Sequence, residues 1–344
     1  MTDSANLDSA IHRAAGSGTT QEEEGRLAAK QPVAEINSAY LALKIVSLLP
    51  SATEIIDCLG LTDALVGRSH ECDYPASVKN LPVCTEARLN SHKPSAEIDV
   101  DVQSLMQKAL SIYKIKTEVL EQLQPTHIIT QDQCDVCAVN FPEVEKAIAN
   151  LTNSHPQVIS LQPDLLNDVW DDIERVARTL GVEAKPALDK LQSRINIIAD
   201  KVKDKSEKPT VVAIEWTEPL MVGANWIPEL IEIAGGKSLL SVKGKHSPYI
   251  SWESLVNADP DVIVIMPCGF DLKRTEQESQ ILTQHPNWNS LRAVKNNRVF
   301  IVDGNAYFNR PGPRLVDSAE ILAEIFYPKL FNFGHQSKSW KLFF

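Results

Sequence analysis

The sequence predicts an α/β protein: two Rossmann-like lobes with parallel sheets, joined by one long helix, with a ligand cleft between them. Three observations predict it. Strands and helices alternate from residue 44 onward, and the strands are apolar throughout rather than at every second residue, the pattern of a parallel sheet covered on both faces. A helix–Pro–strand–Cys unit occurs twice, about 135 residues apart: Glu118 to Pro125, an apolar run and Cys134; then Glu253 to Pro260, an apolar run and Cys268. Between the two units, residues 164–204 carry no strand signal, and Leu188, Leu191, Ile195, Ile198 and Val202 recur at helical spacing.

Taken in order, residues 1–43 are rich in Ser, Ala, Thr, Glu and Gln and are expected to be a disordered leader. Residues 44–162 form the expected N-terminal lobe. Its first strand, 44–49, runs into Pro50, and Ser51-Ala-Thr-Glu54 has the capping-box pattern that starts a helix, stopped by Gly60. Strands follow at 64–68, near 81–84, at 126–130 and at 157–161, with helices at 98–111, 117–123 and 141–151. The connecting segment 163–206 holds a helix at 164–179, a break at Gly181, and a helix over 184–203 about 30 Å long. One rigid helix between two sheets predicts a small opening motion. The C-terminal lobe, 207–328, repeats the alternation: strands 210–216, 261–266 and 298–303, helices 226–234, 271–283 and 314–326. The tail, 329–344, is aromatic and basic without periodicity.

The formal net charge of −11 argues against nucleic acid and against anionic lipid as partners. No run of 18 apolar residues marks a transmembrane helix, and no basic segment leads into an apolar one as in a secretory signal, so the chain as it stands reads as cytoplasmic, its six cysteines as reduced thiols and its state as monomeric. Gly235-Gly-Lys-Ser238 is no phosphate loop, since Ile231 stands where the first Gly is required.

Ligands of open parallel sheets sit beyond the carboxyl ends of the strands, and the unusual residues gather there. Strand 64–68 exits into His70, Glu71, Cys72 and Tyr74; strand 126–130 into Gln131, Asp132, Cys134 and Cys137; strand 210–214 into Glu215 and Trp216. Strand 261–266 exits into Cys268 and Phe270, and strand 298–303 into Asn305, Tyr307, Phe308, Asn309 and Arg310. Aromatic faces, thiols, an imidazole and a guanidinium suit a large, flat, partly polar ligand.

The segments SLLPSATEIIDCLGLTDALVG, HECDYP and GNAYFNRPGPRLVDSAEILAE, with the Glu-to-Pro units and the connecting helix, resemble the vitamin B12-binding family. These are class III substrate-binding proteins of ABC transporters, with siderophore- and haem-binding relatives. The resemblance covers about residues 44–328. It implies a corrinoid as ligand, no required cofactor, aromatic packing on the corrin from Tyr74, Trp216, Tyr307 and Phe308, and docking of Glu118 and Glu253 onto a membrane permease. Such partners meet the family outside the inner membrane, so a periplasmic location is the alternative to the cytoplasmic one.

Two other readings stay open. Haem or an iron chelate suits the same fold. A cysteine-based metal-binding protein or enzyme suits Cys134-Asp-Val-Cys137 with Cys72 and Cys268 as a soft ligand set, and His70 with Cys72 as the only sequence-near base and nucleophile.

Overall fold

The computed structural model describes residues 43–107, 112–131, 141–149, 151 and 153–344. Cys134, Cys137 and Asp132 lie outside the described residues.

The N-terminal lobe is built on four parallel strands: β1 (Ile45–Ser47), β2 (Leu65–Arg68), β5 (His127–Gln131) and β6 (Gln157–Leu161), in the order β2-β1-β5-β6. A two-stranded antiparallel ribbon, β3 (Thr85–Ala87) with β4 (Tyr113–Ile115), packs beside it. The strand expected near 81–84 starts later, at Thr85, because residue 83 makes only a single bridge to Arg68 before the chain turns into the ribbon.

Two helices carry the connection, Leu166–Leu180 and Lys185–Val202, separated by Gly181 at φ 74°, a left-handed turn that glycine adopts without steric cost. Leu188, Leu191, Ile198 and Val202 are buried, so the helical spacing marks a packed face. That face meets the helix Leu315–Phe326.

The C-terminal sheet runs β12-β11-β10-β7-β8, with β9 beside β7. Strands β7 (Thr210–Trp216), β10 (Val262–Ile265) and β11 (Val299–Val302) are parallel; β8 (Met221–Val222) and β9 (Lys237–Ser238) are short additions. The aromatic tail supplies β12 (Trp340–Leu342), antiparallel to β11 at the sheet's edge. Every residue of β10 and β11 is buried, which is why their sequences are apolar without alternation.

The internal repeat is structural. Helices Thr117–Leu123 and Trp252–Ala258 each run seven residues and end on a left-handed residue, Gln124 and Asp259, followed by Pro125 and Pro260 and then by β5 and β10. Leu120 and Leu255 are fully buried at matching positions, one in each lobe's core. The helix expected at 271–283 is two, Leu272–Glu278 and Gln280–Thr283.

Candidate functional site

The capping box expected at Ser51–Glu54 does not form. The helix Pro50–Cys58 starts instead with Leu49 at its cap and Pro50 in its first turn, where the missing N–H costs nothing. Glu54 is thereby released for a distant role. It is 2% exposed, and its Oε1 accepts from Arg310 and from Arg314, each at 3.5 Å, across the junction of the lobes. Arg310 is 4% exposed and also donates to Asp73 Oδ1 at 2.6 Å, to Asn305 Oδ1 at 3.1 Å and to the Glu71 carbonyl at 3.4 Å.

Burial pushes the Glu54 carboxyl up to about 7, against the pull of Arg314 and Arg310. Asp73 is desolvated too, but Arg310 bonds it directly and holds it below its usual range. Glu71 is also held low, by its hydrogen bond with His70.

The guanidinium of Arg314 lies between two rings, its central carbon 4.4 Å from the centre of Tyr74 and 4.4 Å from that of Tyr307. Each contact is a cation–π interaction. One ring comes from each lobe, so Arg314 aligns them. Tyr74 remains 44% exposed. Tyr307 is half-buried, and its hydroxyl accepts from Ser339 of the tail at 3.0 Å.

The turn that presents Tyr307 begins at Gly304, where an added Cβ would lie 2.7 Å from the Met266 carbonyl oxygen and would strike the carbonyl of Pro267. Only glycine lets the β11 exit pass this close to the β10 exit. The Asn309 amide N–H reaches back to the Gly304 carbonyl, so Gly304–Phe308 is one wide helical turn. That turn leaves Tyr307 at the surface and drives Phe308 inside. Phe308 is fully buried, so its ring packs in the lobe's interior and does not line the cleft, contrary to the expectation from sequence.

A second cluster sits at the exits of β7 and β10. Trp216, 9% exposed, packs on Phe270 with ring centres 5.3 Å apart, beside Cys268 and Met221, and is covered by Ile98 and Val102. The backbone ties it to the first cluster: Asn305 N–H donates to the Phe270 carbonyl, and Cys268 N–H to the Glu215 carbonyl. The Glu215 carboxylate accepts from Ser247 at 2.8 Å.

The remaining candidates sit in the walls. Cys72 is 1% exposed, and its sulfur accepts from the Thr53 hydroxyl at 3.0 Å; burial pushes the thiol up to about 11, so it stays protonated. His70 has Nδ1 2.7 Å from the Thr85 hydroxyl and Nε2 3.3 Å from Glu71, so both ring nitrogens face groups of its own lobe rather than the Cys72 sulfur. Gln131 is 3% exposed at the end of β5, and its Nε2 has no partner among the described residues.

Among the described residues, the one group of three side chains close enough to share a metal ion is Asp317, Glu320 and His335. Arg194 fills that place already, 2.7 Å from Glu320, so the group is an ion-pair network. Neither Cys72 nor Cys268 belongs to such a group among the described residues. Glu118 and Glu253 are both exposed in the first turn of their matched helices.

Among the described residues no helix is long and apolar enough to cross a membrane. An uncharacterized ABC transporter substrate-binding lipoprotein, YvrC of Bacillus subtilis, is 25% identical over 84% of this chain and 81% of its own length. A vitamin B12-binding protein of Vibrio parahaemolyticus is 23% identical over 82% of this chain and 89% of its own. Among solved structures, the fold matches the periplasmic haem-binding protein RhuT of Roseiflexus (TM-score 0.62, 22% identity, 83% of this chain and 98% of that one). It also matches the periplasmic vitamin B12-binding protein BtuF of Vibrio cholerae (TM-score 0.58, 21% identity, 83% and 96%). YvrC is described as a lipoprotein and the two solved structures as periplasmic, and none of these descriptions supports the cytoplasmic expectation. Their family delivers small-molecule ligands to ABC permeases and is not one of enzymes. With two parallel-sheet lobes whose strand ends meet at Arg310, and with residues 45–306 matching its profile, the chain belongs to the periplasmic binding protein family.

Proposed function

We propose that this chain captures a corrinoid between its lobes and hands it to an ABC permease on the outer side of the cytoplasmic membrane. The observation that carries the reading is the Tyr74–Arg314–Tyr307 stack, which leaves one tyrosine face open at the lobe junction. Such a face suits a flat macrocycle. A B12-binding relative aligned over most of the chain supports the choice of ligand.

Haem-binding relatives support the alternative of haem or an iron chelate. The electrostatics favour the corrinoid. Haem propionates and most siderophores are anionic and need free cations. Here Arg310 and Arg314 are engaged with Glu54 and Asp73, and Arg68 donates to the carbonyls of Ser69, Cys72 and Lys79. A cobalamin, with its many neutral amides, does not need them.

Titration with cyanocobalamin and with haemin, followed in the visible spectrum and by calorimetry, tests the choice. Cyanocobalamin is expected to bind without turnover. Tyr74→Ala is expected to weaken it by about 1–3 kcal/mol, as loss of an aromatic anchor does. Haemin binding alone replaces the ligand; binding of neither, with the fold intact, removes this reading.

The docking proposal rests on Glu118 and Glu253, exposed at equivalent places on the two lobes. Paired with permease arginines, they are expected to act together. Reversal of both to Lys is expected to abolish ligand-stimulated ATP hydrolysis by the reconstituted transporter while leaving ligand affinity within about twofold, since exposed charges contribute little to the fold. Full stimulation by the double variant would show that the permease is met elsewhere.

A further inference from the structure

We infer that residues 88–107 are a lid, mounted on the N-terminal lobe, that closes over the aromatic wall of the C-terminal lobe and must swing away before a flat ligand can stack on Trp216. The inference rests on the binding function proposed above and names how access to that site is controlled.

The topology sets it up. The excursion leaves the N-terminal lobe at β3 and returns to it at β4, and these two strands form its stem, paired from Thr85 with Ile115 to Ala87 with Tyr113. The stem is anchored, because Cys84, Tyr113 and Ile115 pack with Val46, Leu48 and Ile128 in that lobe's core. At its base Arg88 pairs with Glu143 of the same lobe at 2.8 Å, while among the described residues the tip beyond makes its apolar contacts elsewhere. Its helix, Ser95–Gln107, lies on the other one.

Its contacts there form a clasp of polar groups around an apolar centre. The Ser95 N–H donates to Glu278 Oε1 at 2.7 Å, and the Ser95 and Thr217 hydroxyls are 3.0 Å apart. Arg274 donates to the Lys93 carbonyl at 2.6 Å, and the Tyr249 hydroxyl donates to Asp99 at 2.7 Å. In the centre, Ile98 and Val102, one turn apart, cover Trp216 and Phe270. The Trp216 indole N–H donates to the Ser95 carbonyl at 3.3 Å. The Trp216 ring is therefore covered, and its N–H satisfied, by the chain itself.

Movement of the whole lobes is not an easy way in. Glu54, buried with Arg310 and Arg314, pins the junction, and separating the lobes would break these ion pairs together with the Arg310–Asp73 pair. The lid gives up little by comparison. Its polar groups regain water when it opens, and only one apolar patch is exposed. A site that is open for a fraction of the time binds with an affinity reduced by that fraction.

The double variant Tyr249→Phe/Glu278→Ala loosens the clasp and leaves Trp216 and Phe270 in place. Hydrogen exchange of residues 95–107 is expected to rise about tenfold in it, with the helix Leu315–Phe326 unchanged. Its affinity for cyanocobalamin is expected to rise about five- to tenfold, and bound cyanocobalamin is expected to speed exchange of 95–107 in the wild-type chain. Slower exchange on binding, with weaker binding by the variant, would make the segment a fixed wall and overturn the inference. If neither cyanocobalamin nor haemin binds either chain, the proposed function fails, and the lid is judged on exchange and on 1-anilinonaphthalene-8-sulfonate. Local opening with more bound dye in the variant sustains it; exchange of 95–107 only through global unfolding ends it.

Discussion

Replacing Arg310 by Met is expected to lower the unfolding free energy by about 3–5 kcal/mol, the usual cost of removing one partner from a buried ion pair; Arg314 still reaches Glu54 but not Asp73. Arg310 binds Glu54 and Asp73 from one lobe and Asn305 from the other, so no single neighbour can take over its role. The deficit should depend on pH in a defined direction. In the folded chain the Glu54 carboxyl titrates near 7, against an ordinary value of 4.5. Folded molecules thus keep this proton between about pH 4.5 and 7 while unfolded ones have lost it. The resulting stabilisation is complete below 4.5 and is lost as the pH rises through 7. Without Arg310 the upward shift grows, because burial remains and part of the opposing charge is gone. The variant should therefore lose less at pH 5, where Glu54 is neutral, than at pH 8. Urea denaturation at the two pH values measures this. Adding Glu54→Leu should return part of the stability at pH 8; equal deficits at both pH values would mean that Glu54 is not the stranded charge.

Trp288→Ala is expected to cost about 3–5 kcal/mol, the range for deleting a large buried aromatic side chain. Trp288 is 1% exposed in the C-terminal core, edge-on to Trp252, Phe343 and Phe344. Trp252 is the first residue of the helix that carries Glu253, and it stacks flat on His285 at 3.9 Å. The cavity should therefore loosen the docking helix as well as the core. Thermal unfolding should show the loss. Hydrogen exchange should show residues 252–258 opening before the matched helix at 117–123; unchanged protection at 252–258 would confine the effect to the core.

What the sequence disclosed, and what it concealed, follows from the range over which each signal acts. The helix Thr117–Leu123 was legible to the residue because Pro125 stops it locally, and β10, expected at 261–266, was legible to within one residue at each end because an unbroken apolar run follows Asp261. Glu54 was misread because a capping box is a four-residue pattern, whereas its partners Arg310 and Arg314 lie in the other lobe. Tyr307 and Phe308 looked alike as adjacent aromatics; the wide turn begun by Gly304 separates them, one outward and one into the core. The helix at 95–107 was visible, but its apolar spacing does not say which lobe it meets. The strand β12 has three residues, too few for any period to register.

That last strand has a further consequence. The run VFIV of β11 is fully buried and carries no charge, and β12 lies along its outer flank. An uncovered strand of this composition is a template on which another molecule can add a strand of its own. Residues 340–342 thus act as a seal that keeps the sheet from growing, and cutting them away would leave a protein prone to join its own kind.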